Sequence, residues 1–269
     1  MSRIAVALEY DGAQFAGWQT QQPGVSSVQQ TAEAAFSRVA DEAVSLVCAG
    51  RTDAGVHALG QVAHFDTQAL RVERSWILGA NSHLPDSISV RWARAVPAHF
   101  HARYSAESRT YRYFVLNRLA RSALATRRAA LIHRPLDIEP MRAAAALLVG
   151  EHDFSAFRAA ECQARSPVRR LYALEVWRQG DVVIMEATAN AFLQHMVRNL
   201  VGLLLDIGVA KAPSQWAAEV LSGRDRTRSA PTAPASGLYF WKVAYPQAFR
   251  LPEEAAGPVS AIIPDPPFG

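Results

Sequence analysis

Positions 3–10 alternate strictly, with Ile4, Val6, Leu8 and Tyr10 on one face, the period of a half-buried strand. A glycine-containing loop follows. Ser27 and Gln30 then have the spacing of a capping box, and Val28, Ala32, Ala35, Phe36 and Val39 form one helical stripe. Strands are predicted at 45–49 and 61–67, flanking a polar loop over 50–59. A helix at 74–82 and a strand at 88–96 complete a β-α-β-β-α-β series. The second half gives the same order. It has a strand at 109–117, a helix at 140–149 stopped by Gly150, and a hairpin of 168–178 with 182–189 around Gln179-Gly180-Asp181. A long helix at 192–207, a further helix capped by Ser214 and a strand at 237–245 follow. The pattern predicts an α+β protein of two similar ferredoxin-like (RRM-like) halves, with antiparallel sheets flanked by helices and a cleft between them. The expected divisions are 1–104, 105–245 and a Pro/Gly-rich tail at 246–269.

Half of the 269 residues are apolar and 19% are charged, a balance that supports a sizeable core and excludes a disordered chain. No apolar run approaches the ~18 residues of a membrane-spanning helix. The N-terminus lacks the apolar stretch of a signal peptide. Two cysteines, Cys48 and Cys162, are too few for a disulfide framework or a four-cysteine zinc site. A cytoplasmic protein without membrane contact or structural metal is expected. Net charge is +4, and Lys211 and Lys242 are the only lysines, so the cations are nearly all arginine. Arginine grips phosphate with two parallel hydrogen bonds and stacks on bases. Coding bias and a polyanionic partner both produce such a composition.

The densest polar cluster is Gly50-Arg51-Thr52-Asp53-Ala54-Gly55-Val56-His57-Ala58. Two readings are open: a solvated turn, or a carboxylate at a cleft with an arginine beside it for a phosphate or base. The helix at 192–207 favours the second. It is apolar almost all round yet carries Arg198, and a buried guanidinium needs an anion unless it reaches a wet edge. Segment 108–114 interleaves Arg109 and Arg112 with Tyr111, Tyr113 and Phe114. It reads equally as a base-stacking platform or as an edge strand with a solvated arginine face. His99 and His101 are expected on one strand face, and no histidine spacing matches a metal motif, so no metal is expected.

These segments resemble the tRNA pseudouridine synthases of the TruA family. The resemblance rests on Tyr10-Asp11-Gly12 through Gly17-Trp18-Gln19, the Gly50–Ala58 block, and Phe100-His101-Ala102-Arg103-Tyr104. It continues through Arg109-Thr110-Tyr111-Arg112-Tyr113, Asn190-Ala191-Phe192-Leu193 to Arg198, and Ala230–Ala235 with Gly237-Leu238-Tyr239. All appear in the family's order across about residues 3–245. The resemblance implies isomerisation of uridine to pseudouridine at tRNA nucleotides 38, 39 and 40 in the anticodon stem-loop, by a homodimer without a cofactor. It implies Asp53 as the catalytic aspartate, Tyr111 stacked on the target base, and Arg198 paired with the catalytic carboxylate. Arg51 would enter the stack vacated by the flipped base. Phe100, His101, Arg103, Tyr104, Gln163, Arg165 and Leu238 match substrate-binding positions. Two rival readings are a silent RNA-binding module and an aspartate-dependent glycoside hydrolase. The second ordinarily needs two carboxylates, and the loop offers one.

Overall fold

The computed structural model describes residues 1–22 and 24–252, which divide into two compact units. One is Met1–Glu107 with the chain from Phe240 onward, and the other is Ser108–Tyr239. The division thus falls slightly later than position 104, and the chain returns to the first unit at Phe240. Of the expected 246–269 tail, residues 253–269 lie outside the described residues, and Gln247–Phe249 form a 3-10 turn.

The first unit runs β1 (Ser2–Tyr10), α1 (Val28–Ala40), β2 (Val47–Cys48), β3 (His57–Thr67), α2 (Glu73–Asn81) and β4 (Ile88–Val96). The strands are antiparallel in the order β4-β1-β3, with β2 on β3. This is the order of a split β-α-β-β-α-β unit. The Ser27 hydroxyl caps α1 by accepting from the Gln30 N–H at 3.3 Å. The stripe that α1 buries meets β3 and α2 in an aromatic core: Phe36 to Phe65 at 5.2 Å and Phe65 edge-on to Trp76 at 5.2 Å. Each of the three rings is almost wholly buried, and burial of that kind dominates the unit's stability.

β3 starts earlier than its alternation predicts, at His57. Between Leu8 and Tyr10 of β1 the register slips, so Leu59 and Gly60 together oppose Glu9 in a β-bulge. The bulge breaks the period of two, and buried His57 at the strand's start makes 57–60 read as loop, while 61–67 keeps its strand pattern. Arg91 donates to the Leu59 carbonyl at the bulge (3.1 Å).

The second unit runs β5 (Ser108–Asn117), β6 (Ala130–Ile132), α3 (Ile138–Ala146), β7 (Gly150–Asp153), β8 (Val168–Gln179), β9 (Val182–Ala189), α4 (Met196–Gly208) and α5 (Trp216–Gly223). β10 (Leu238–Ala244) begins here and runs on into the first unit. β5, β9 and β8 lie in the order that β1, β3 and β2 take in the first unit. The hairpin turn is Gly180-Asp181, with Gly180 at φ 56°.

Four local expectations are corrected. The α3 helix begins at Ile138 because the Asp137 side chain caps it, and it ends at Ala146, with Leu147 as its C-cap; Gly150, at φ 126°, opens β7 instead of stopping the helix. The long apolar helix starts at Met196, because His195 sits in the left-handed region at φ 62° and excludes 192–195 from it. Gln215, not Ser214, is the residue before α5, and its side chain makes no capping bond. The strands β6 and β7 carried no alternation long enough to predict.

Candidate active site

Asp53 is half-buried on the loop between β2 and β3, with Arg51 and Ala54 exposed beside it and Thr52 buried. What fixes the loop is another part of the chain, the turn that follows β1. Trp18 donates its backbone N–H to the Thr52 carbonyl at 2.9 Å, and Gly55 donates to Phe15 at 3.3 Å. A closing bond runs from the Val56 N–H to the Asp53 carbonyl (3.1 Å), with Gly55 at φ 77°. Gly12 packs directly on the Val56 carbonyl, where any side chain would clash. Gly17 has φ 100°, and a Cβ there would lie 2.7 Å from the Thr52 oxygen. The Tyr10–Gln19 and Gly50–Ala58 segments are therefore one interlocked object.

Polar side chains of the sheet hold this object from beneath. The Tyr10 and Thr52 hydroxyls are 2.8 Å apart, both buried. Gln61 donates its amide to the Gly50 carbonyl at 2.6 Å. His57 Nδ1 accepts the Gly12 N–H at 3.1 Å. Burial raises the Tyr10 phenol well above its ordinary value and pushes the Cys48 thiol up to about 12. Cys48 is thus an inert core thiol, and the positive charges of Arg51 and Arg103 both act on it against the effect of burial.

The turn at 100–105 belongs to the same unit. Phe100 is wholly buried against Tyr245 (5.2 Å) and Phe249 (5.0 Å), so it anchors the turn and offers no surface to a substrate. Arg103 and Tyr104 are exposed, and the guanidinium lies over the Tyr104 ring at 5.5 Å. His99 and His101 sit in turns, not on a strand, because β4 ends at Val96 and Pro97 follows.

In the second unit Tyr111 lies on β5 opposite Ala187, its ring edge-on to Phe192 at 5.1 Å and 8% exposed. Neither reading of this strand as an open platform or a solvated arginine face holds. Arg112 is 4% exposed, pairs with Glu186 directly opposite on β9 and lies 5.6 Å from the Trp177 ring. Arg109 is buried as well and donates to the Asn190 carbonyl at 2.8 Å. These cations are structural.

Arg198 is half-buried, not enclosed as its helix suggests, and its Nε donates to the Ala233 carbonyl at 2.8 Å. The Ala233 N–H returns a bond to the Arg198 carbonyl at 3.1 Å. Beside it, wholly buried Asn199 donates to Phe157 O (2.8 Å) and accepts from Thr232 (2.6 Å) and Arg226 (3.0 Å). Gly202 lets the Pro231 carbonyl press against α4. Tyr113 donates its hydroxyl to the Pro234 carbonyl at 2.8 Å. The Ala230–Ala235 segment is so fastened to α4 and β5, much as the Asp53 loop is fastened to the turn after β1. Gln163 and Arg165 are exposed on a loop tied by Arg158 to the Cys162 and Ala164 carbonyls. Leu238, at the start of β10, is buried.

Asp53, Arg51, Phe100, His101, Arg103 and Tyr104 thus belong to the first unit, and Tyr111, Gln163, Arg165, Arg198 and Leu238 to the second. Sequence reasoning missed Tyr10, His57, Gln61, His64 and Asn199, the buried polar residues that hold the loops. Their signal is a polar residue in an otherwise apolar element. Among the described residues no group of three or more His, Cys, Asp and Glu side chains is placed to hold a metal ion, and no helix is long and apolar enough to cross a membrane.

A family model described as tRNA pseudouridine synthase matches residues 6–105 and 144–246. A tRNA pseudouridine synthase A of Alcanivorax borkumensis is 52% identical, over 96% of this chain and 97% of that protein. The protein of the same name from Methylococcus capsulatus is 55% identical, over 94% and 93%. That from Pseudomonas aeruginosa is 50% identical, over 96% and 90%.

Proposed function

The chain belongs to the tRNA pseudouridine synthase family and isomerises uridine in tRNA; from that premise we propose that Asp53 is its catalytic carboxylate and that its targets are nucleotides 38, 39 and 40 of the anticodon stem-loop. The reaction breaks the C1′–N1 glycosidic bond, turns the uracil over and joins C5 to C1′. A carboxylate assists either as a nucleophile or by stabilising positive character on the sugar, and neither route requires a metal or organic cofactor. The observation that carries the assignment is the clamping of the Asp53 loop. A half-buried carboxylate, held by backbone bonds to Phe15 and Trp18 and by the buried Tyr10–Thr52 pair, is pre-organised at no further entropic cost during reaction.

The remaining roles follow the family's motifs. Tyr111 stacks on the target base, and its hydroxyl takes part in removing the C5 proton. Arg198 supplies counter-charge to the catalytic carboxylate. Arg51 fills the stack once the nucleotide is flipped out, which a base inside a stem requires. Arg103, Tyr104, Gln163 and Arg165 are exposed and so open to RNA. His101 holds its turn. Buried Phe100 and Leu238 support the surface from behind. The protein acts as a homodimer in the cytoplasm, where its substrate is.

The test is to incubate the purified protein with unmodified tRNA and map pseudouridine by nucleotide, with and without a chelator. Pseudouridine at 38–40, insensitive to EDTA, is expected. Modification confined to another arm would overturn the site assignment, and metal-restored activity would overturn the cofactor-free mechanism.

A further inference from the structure

Arg103 and Tyr104 project from the turn at 100–105, and two imidazoles hold that turn by accepting backbone hydrogen bonds. His64, buried on β3, accepts the Ala102 N–H at Nδ1 (3.1 Å), while its ring also hydrogen-bonds the Val47 backbone. His101 Nδ1 accepts from both the Arg103 and Tyr104 N–H groups, each at 3.2 Å. The two rings are 4.9 Å apart, and the His101 ring lies 4.3 Å from that of Tyr104. The His101 N–H and carbonyl both bond to Ser105, at 3.0 Å to its hydroxyl and 2.8 Å from its N–H.

We propose that His64 and His101 are positioning residues that, through unprotonated Nδ1 atoms, hold the Arg103 guanidinium and Tyr104 ring in the arrangement that grips tRNA. The inference rests on the reading of Arg103 and Tyr104 as tRNA contacts. An imidazole serves here only while neutral, because a protonated Nδ1 becomes a donor and faces N–H groups that are donors too. The charges facing the pair are consistent with that state. Burial first, then Arg3 of β1, opposes protonation of both rings; Arg103 adds to this at His101 and the His101 ring adds to it at His64, against Asp66 and the Val47 backbone hydrogen bond acting the opposite way on His64. Arg3 is itself fixed by Asp66 and by the Ala98 and Phe100 carbonyls, each at 2.7 Å, so the cation stays beside the turn.

The experiment measures tRNA affinity, kcat, KM and thermal stability for His101→Ala, His101→Asn and His101→Gln, with His64→Asn as a second site and Arg103→Ala as the reference. An asparagine oxygen falls near the position of Nδ1 and a glutamine oxygen nearer that of Nε2. His101→Ala is expected to weaken tRNA binding about ten-fold and raise KM equally, with kcat at saturating tRNA unchanged. His101→Asn should restore most of the affinity, and His101→Gln should not. Wild-type affinity should fall as pH drops below the ordinary histidine range, and the His101→Asn profile should be flatter. If His101→Ala binds tRNA normally, or if asparagine and glutamine behave alike, the positioning role is overturned. If Arg103→Ala also binds normally, the fault lies in the tRNA-contact reading on which the inference rests. Should His64→Asn prove unstable, the half-exposed His101 series still decides the matter.

Discussion

The Tyr10 and Thr52 hydroxyls lie 2.8 Å apart in the core of the first unit, immediately before the candidate catalytic residue Asp53. Tyr10→Phe removes the oxygen and leaves the ring. The Thr52 hydroxyl then loses a partner where water cannot replace it, a loss of about 1–3 kcal/mol for an unsatisfied buried group. Thr52→Val is close in shape and should behave similarly, while the double substitution should cost less than the sum, because neither orphan remains. Thermal unfolding checks the stability effect. A parallel drop in single-turnover rate at saturating tRNA checks that the pair positions Asp53.

Asp53→Asn should abolish pseudouridine formation and leave tRNA affinity within a small factor of the unmodified protein. The amide keeps the shape and removes the charge. Substantial turnover by the variant would eliminate Asp53 as the essential group. Arg198→Ala should also lose activity, with Arg198→Lys recovering only part, since lysine restores charge without the planar fork. A double-mutant cycle with Asp53→Asn measures whether Arg198 acts through the carboxylate; strictly additive effects would dismiss that role.

Gly12→Ala should be among the most damaging single-methyl changes in the chain. Its Cβ has no room beside the Val56 carbonyl, and the obstruction is backbone, which cannot rotate away. A loss at or above the upper end of the about 1–3 kcal/mol typical of overpacking is expected in denaturant unfolding. Gly24→Ala, where nothing lies nearby, serves as the control, although its φ of 89° still carries backbone strain.

Asn199→Ala should destabilise the second unit by removing the acceptor shared by Thr232 and Arg226 and the donor to Phe157. About 1–3 kcal/mol is expected. Proteolysis near residues 226–235 should accelerate, because that segment's fastening to α4 depends on this side chain.

Protonation of His64 opposes folding. Burial first, then the Arg3 charge, hold its pKa down to about 4, against 6.5 ordinarily. Between those values the unfolded chain binds a proton that the folded one does not, so this contribution is intact above about pH 6.5 and is lost as pH falls toward 4. His64→Asn should flatten that limb of the stability–pH curve. An unchanged curve would show that His64 is not responsible.

The architecture was legible in the sequence because β1, β4, β5 and the β8–β9 hairpin keep clean periods and clear turn residues. The start of β3 was not, because the Leu59–Gly60 bulge and the buried polar side chain of His57 disguise its first residues as a loop. Position 195 hid the true start of α4, since a left-handed histidine leaves no mark in an apolar pattern. For the site, the Asp53 loop stood out by its polarity and glycines. The Arg109–Phe114 strand misled, because a guanidinium paired across a sheet, as Arg112 is with Glu186, has the same sequence pattern as one reaching for phosphate.

The turn after β1 and the Asp53 loop are separated by some forty residues, yet each supplies the other's backbone partners. A peptide copied from 49–58 would therefore not keep the loop's shape, and neither would a graft of that loop onto a foreign strand pair. The catalytic geometry comes into being only when β1 and β3 have paired and the intervening chain has closed on itself. Turnover is consequently a probe of global folding in the first unit. Under rising denaturant, activity should never outlast the burial of Trp18 and Trp76, because unfolding of the first unit by itself dissolves the loop.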